Sequence, residues 1–208
     1  MIGITGYKNA QATSFNELPK LEPGGYVIKI LDVKVEENQW GTKIALMFDI
    51  SEGKEKDFFR KLYNATPDEW DNKKWKGSYR LKIPVNEGDE KKFNKSLGFF
   101  KSQIEAFEKS NPGLKINCEA EWNEQDLKGK VVGALFNEKE WEMNGKTGFF
   151  TNCCRLIPAD DIRSGNFKIP KKTLLPNHTE DANTNGFNPE ERLSDFVEVP
   201  TDDGAVPF

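Results

Sequence analysis

The sequence predicts a mainly β domain of five strands with a single helix between the third and fourth, followed by a disordered acidic tail. Three observations lead there. Five short runs have the composition of strands, one long apolar stripe has helical spacing, and both patterns fade after Ile157.

Residues 1–23 show weak periodicity and read as an arm or edge strand. At Gly24-Gly25 the pattern changes: YVIKILDVKV is rich in β-branched residues with apolar side chains on both alternating sets, as in a strand buried over most of its length. ENQWG is a turn. TKIALMFDI then alternates, with Ile44, Leu46, Phe48 and Ile50 on one face, so the first two strands form a hairpin. Ser51 to Gly77 is a long polar connection. SYRLKIPV is the third strand, its Tyr79, Leu81, Ile83 and Val85 opposite Arg80 and Lys82. In DEKKFNKSLGFFKSQIEAFEKSNPG, Phe93, Leu97, Phe100, Ile104 and Phe107 form one stripe on a helix, which Asn111-Pro112-Gly113 ends; its plainest role is core packing. KVVGALF and GFFTNCCRLI are the last two strands, and the connection between them carries the turn dipeptide Asn144-Gly145. A body of residues 24–165 and a tail of 166–208 follow. Strand, strand, strand, helix, strand, strand is the order of the OB-fold, a five-stranded barrel that binds oligonucleotides on strands two and three and on the first-to-second and fourth-to-fifth loops.

The bulk numbers narrow the function. With 208 residues, 36% hydrophobic and 31% charged, one core is feasible; 12% aromatic content, including 15 Phe and 5 Trp, exceeds what a small core needs. No apolar run approaches the roughly 18 residues of a membrane span, and the N-terminus lacks a secretory pattern, so a cytoplasmic, reduced setting is expected. Three cysteines without metal-ligand spacing and a single histidine, His178, argue against zinc and against His-based catalysis. A phosphate-cradling glycine loop and a nucleophile elbow are both missing. The expectation is a protein without catalytic activity, metal or cofactor; a metal nuclease built from Asp and Glu is the remaining enzymatic alternative. Charge is split: up to Lys172, 29 Lys and Arg face 26 Asp and Glu, whereas from Thr173 onward one Arg faces eight acids. A mildly basic body with an acidic tail often accompanies nucleic-acid binding.

The stretch Lys54 to Lys82 holds nine Lys/Arg against five acids, interleaved with Phe58, Phe59, Tyr63, Trp70, Trp75 and Tyr79. Single strands call for that mixture, because phosphates need cations and unstacked bases need flat apolar faces. Phe58, Phe59 and Tyr63 could instead cover one end of the barrel. Trp70 and Trp75, set among Asp, Asn and Lys, point to binding. The cations of this stretch taken as candidates are Arg60, Lys61, Lys73, Lys74, Lys76, Arg80 and Lys82, with Lys43 beside the last two on strand two. Trp40 and Trp141 fall in the two loops this fold uses, although the acids around Trp141 would repel phosphate.

Two stretches carry a family resemblance. LKGKVVGALFNEKEWEMNGKTGFFTNCCRLIPADDIRSG resembles the closing hairpin, and PGGYVIKILDVKV the opening strand, of single-stranded DNA-binding proteins encoded by bacteriophages and mobile elements of Gram-positive bacteria. The tail, TDDGAVPF, is similar to the acidic tip of bacterial single-stranded DNA-binding proteins, with Gly204-Ala205 inserted between the acids and the apolar end. That resemblance implies partner docking through Asp202, Asp203, Val206, Pro207 and Phe208, the partners being replication or recombination proteins. The function it implies is sequence-independent binding of single-stranded DNA. A protein-interaction adaptor, or a recombinase or helicase loader, is the alternative from another class.

Overall fold

The computed structural model describes residues 18–39, 41–67 and 73–176. Five strands form one antiparallel sheet: β1 (Gly24–Asn38), β2 (Gly41–Ile50), β3 (Ser78–Lys82), β4 (Val131–Met143) and β5 (Lys146–Ile157), in the order β3-β2-β1-β4-β5. β1 is the hinge of the sheet. Its first part pairs with β4, from Gly24↔Phe136 to Lys29↔Val131, and the rest pairs with β2 out to Asn38↔Gly41. The register shifts between Ile30 and Asp32, and a bulge there bends the strand and strengthens its twist. The edge strands β3 and β5 come within 8 Å, Cα to Cα, but are not hydrogen-bonded partners. The expected barrel is therefore an open sheet along that seam.

Among the described residues three α-helices, rather than the one expected, accompany the sheet: α1 (Phe58–Ala65), α2 (Glu90–Ser110) and α3 (Ala159–Arg163). α1 lies inside the stretch read as a polar connection. It is short, and its apolar residues Phe58, Phe59 and Leu62 are too few to stand out from the charge around them. α2 is the helix read from the Phe stripe. Asp89 caps it by accepting from Lys92 N at 3.0 Å, and the Asn111 side chain ties its end to the Phe107 and Val131 carbonyls, both at 2.7 Å. α2 packs on β4 and β5, and Tyr79 of β3 donates to Gln103 Oε1 at 2.6 Å, so the helix bridges the two unpaired edges.

The core lies on one face of the sheet. Ile28, Ile30, Ile44, Leu46, Phe48, Leu81, Val132 and Phe136 meet Ile104 and Phe107 of α2 there. On the other face, near the starts of β1 and β4, Gly25 and Gly133 leave room for Ile162 of α3, and Phe167 also lies against Gly25; a Cβ at Gly25 would stand 2.6 Å from either side chain. Arg163 pins α3 by donating to Glu52 (2.6 and 3.1 Å) and Asp160 (2.6 Å). The tail expected from residue 166 begins with a strap on the sheet. Thr173 N donates to Glu138 O and Glu140 N to Thr173 O, both at 2.8 Å, and Asn137 Nδ2 donates to Lys171 O at 2.7 Å. This strap occupies the edge of β4 that β1 leaves when it turns toward β2. Among the described residues, no helix is long and apolar enough to cross a membrane.

Candidate nucleic-acid interface

The outer face of β1, β2 and β3 is set by register. Phe48 N donates to Gly77 O (2.8 Å) and Ile83 N to Thr42 O (3.0 Å). Hydrogen-bonded and non-bonded pairs alternate, so Lys43/Lys82, Ala45/Arg80 and Met47/Ser78 are the non-bonded pairs, whose side chains stand closest. On β1, Asp32, Lys34 and Glu36 continue the same three rows. Arg80 Nε donates to Glu36 at 2.9 Å, and Lys128 Nζ lies 2.8 Å from Asp32, a bond that holds the Asp32 carboxyl below its usual range. Both acids of these three rows therefore have a cation. Among the described residues, Lys34, Lys43 and Lys82 form no salt bridge, although Lys34 also helps to lower the Asp32 pKa. Lys43 directly opposes Lys82, and like charges so placed are destabilising until an anion joins them.

The aromatic and basic stretch separates into interior and rim. Asp49, buried at the end of β2, accepts from Phe59 N (2.9 Å) and Arg60 N (3.1 Å), anchoring the first turn of α1. This turns Phe58 and Phe59 inward, where they are 6% and 7% exposed and pack edge-on with each other; Phe59 also meets Phe48 edge-on. Both are corrected from candidate stacking residues to core. Tyr79 is partly buried and packs against the core, its hydroxyl donating to Gln103 and burial pushing its phenol pKa up. Trp75 is half-buried against the core, its Nε1 donating to Phe48 O (3.0 Å) and Gly77 O (3.1 Å), so it serves as an anchor with one accessible side. Tyr63 remains at the rim, 37% exposed, tilted on Trp75 at 6.0 Å with Lys73 Nζ 4.8 Å from its ring centre. Lys74 is exposed and Lys76 half-buried; burial, helped by Lys74, lowers the Lys76 pKa. Arg60 sits 4.0 Å from Asp57, and Lys61 Nζ donates to Lys56 O at 2.7 Å, so both are engaged in local contacts. Trp40, Trp70, Asp202, Asp203, Val206, Pro207 and Phe208 lie outside the described residues.

The β4–β5 arm offers a second surface that sequence reading largely missed. Its turn places Asn144 and Gly145 at φ 50° and 74°, the left-handed pair that a two-residue hairpin loop requires. The register then puts Lys139 opposite Phe150, Trp141 opposite Gly148 and Met143 opposite Lys146, all on one face. Trp141 lies across Gly148, its ring atoms 2.9 Å from where a Cβ would stand. The acids that weakened the case for Trp141 are on the opposite face: Glu138 pairs with Lys172 of the strap at 2.5 Å, and Glu140 accepts from Leu175 N at 3.1 Å. Lys139, Met143, Lys146 and Phe150 could have been found by carrying the period-two alternation outward from Asn144-Gly145.

A scan of protein-family models finds no match to this chain, and a search of curated proteins finds none either.

Proposed function

We propose that this protein binds single-stranded DNA without catalysis and largely without sequence preference, on the outer face of β1, β2 and β3 and the Trp141 face of the arm. The observation that carries the reading is the cation-rich outer face, where among the described residues Lys34, Lys43 and Lys82 form no salt bridge, together with a ring on the arm. Cations supply the salt-sensitive phosphate term and rings supply stacking that any base satisfies. The strand order supports an OB-type fold, a five-stranded and partly open barrel whose ligands lie on strands two and three and the two flanking loops. In this reading the protein serves phage or mobile-element replication and recombination. Asp202, Asp203, Val206, Pro207 and Phe208 recruit protein partners, a role their acidic and apolar sequence supports.

A tryptophan fluorescence titration tests it, with oligo-dT beside a duplex of equal length at low and moderate salt. The expected result is quenching by the single strand alone, weakened by salt. No quenching and no gel shift at low salt sinks the proposal and leaves the adaptor reading.

A further inference from the structure

The apolar stripe of α2 is covered over only half its length. The helix has 21 residues, about 31 Å, and Phe107, Ile104 and Phe100 are buried at 0%, 5% and 6% exposure. One turn earlier Leu97 is 43% exposed, and Phe93 is only partly covered. At 3.6 residues per turn, exposed Lys92 and Lys101 fall on either side of this strip, exposed Lys91 and Lys95 fall behind it, and Glu90 is the one acid between 90 and 101. An apolar strip framed by lysines fits an acidic segment with its own apolar spacing.

The chain contains such a segment. PEERLSDFVEV, residues 189–199, places Leu193, Phe196 and Val197 three and four positions apart, with Glu190, Glu191, Asp195 and Glu198 between and around them. We propose that this segment docks on the overhanging half of α2, Leu193 and Phe196 against Phe93 and Leu97, its carboxylates beside the lysines. Reach allows it within one molecule: the 17 residues from Pro176 to Leu193 extend to about 55–60 Å, well beyond the radius of gyration of about 15 Å for a body of this size. The dock covers apolar surface that water would otherwise meet, and it holds the segment at α2, away from the lysines of the sheet. It does not depend on whether the sheet binds a strand.

Amide hydrogen exchange of the full chain tests this by comparing the protein with the double variant Leu193→Asp, Phe196→Asp. Those substitutions add negative charge, so loss of docking reports the apolar contact rather than attraction alone. Amides of residues 91–99 are expected to exchange several-fold faster in the double variant, with 100–110 unchanged. A synthetic peptide of residues 187–200 restores the slower rate. The reciprocal variant Leu97→Asp, on an exposed helix face, speeds protease cleavage within 189–199. Equal exchange across 91–99 in both proteins overturns the proposal. So does protection that persists in the double variant and grows with protein concentration, which assigns the face to a second copy.

Discussion

The stretch from Lys54 to Lys82 and the β4–β5 arm contain the same kinds of residue, yet the fold uses them oppositely. In the first, most of the described rings turn inward: Phe58 and Phe59 enter the core, Tyr79 bonds to α2 and Trp75 is tied to two carbonyls, with Tyr63 at the rim. In the second, Trp141 lies flat over Gly148 beside Lys139, Lys146 and Phe150. Composition does not distinguish the two, because an amphipathic helix and a nucleic-acid track mix rings and cations alike. Backbone period does.

Truncating one ring from each region is the strongest way to break the comparison. Phe59→Ala removes a buried ring and is expected to cost about 3–5 kcal/mol, read by chemical denaturation. Trp141→Ala should change stability by no more than about 1 kcal/mol. Equal costs would make the arm a piece of core. Two glycines repeat the contrast. An alanine at Gly77 puts Cβ 2.3 Å from the Phe48 carbonyl oxygen, which belongs to the strand backbone and cannot step aside, so a loss of about 1–3 kcal/mol is expected. At Gly148 the obstacle is a side chain: stability should hold while the Trp141 ring lifts, visible as a shift in emission.

Binding sharpens the same contrast. If Trp141 stacks on a base, Trp141→Ala weakens oligo-dT binding by about 1–3 kcal/mol, roughly 5- to 150-fold. Tyr63→Ala should weaken it less, since that ring already carries Lys73 and leans on Trp75. An arm variant that binds as well as the parent would remove the arm from the interface. Replacing Lys43 with Gln has two effects of opposite sign. Relief of its repulsion with Lys82 stabilises the unbound protein by about 0.2–1 kcal/mol. Loss of one phosphate contact lowers the slope of log affinity against log salt by about 0.7. Lower stability together with an unchanged slope would mean that the lysine pair is not an anion site.

What the sequence made legible follows from periodicity. The five strands, the helix from Phe93 to Phe107 and the outward Arg80 and Lys82 all rest on alternation or helical spacing that runs for several residues. α1 was hidden because eight residues give about two turns, and because its capping group, Asp49, comes from β2 rather than from the residue before it. The open β3–β5 seam was also hidden, because closure depends on how far a short strand reaches across α2, a matter of three dimensions. The separation of Trp141 from its neighbouring acids was hidden for a simpler reason: they are adjacent along the chain, whereas the sheet puts them on the opposite face.

The smallest expected effect concerns the contact that joins the two regions. Glu52 lies in the connection leading to α1, and Arg163 lies in α3, just beyond the arm. The hydrogen bond from Arg163 is the main reason the Glu52 carboxyl is held below its ordinary value, with burial acting against it. A carboxyl lowered on folding contributes stability above its ordinary range and loses it as pH falls through the lowered value. Both side chains are roughly two-fifths exposed, so screening limits the pair to about 0.2–1 kcal/mol. Glu52→Gln should therefore be slightly less stable than the parent at neutral pH, and the gap should close in acid. Denaturation curves for both proteins at several pH values check this, and a gap that stays constant into acid would show that the glutamate acts through packing. A gap that closes as expected makes the hold of α3 over Gly25 and Gly133 partly electrostatic, weakening in acid while the apolar seat of Ile162 persists.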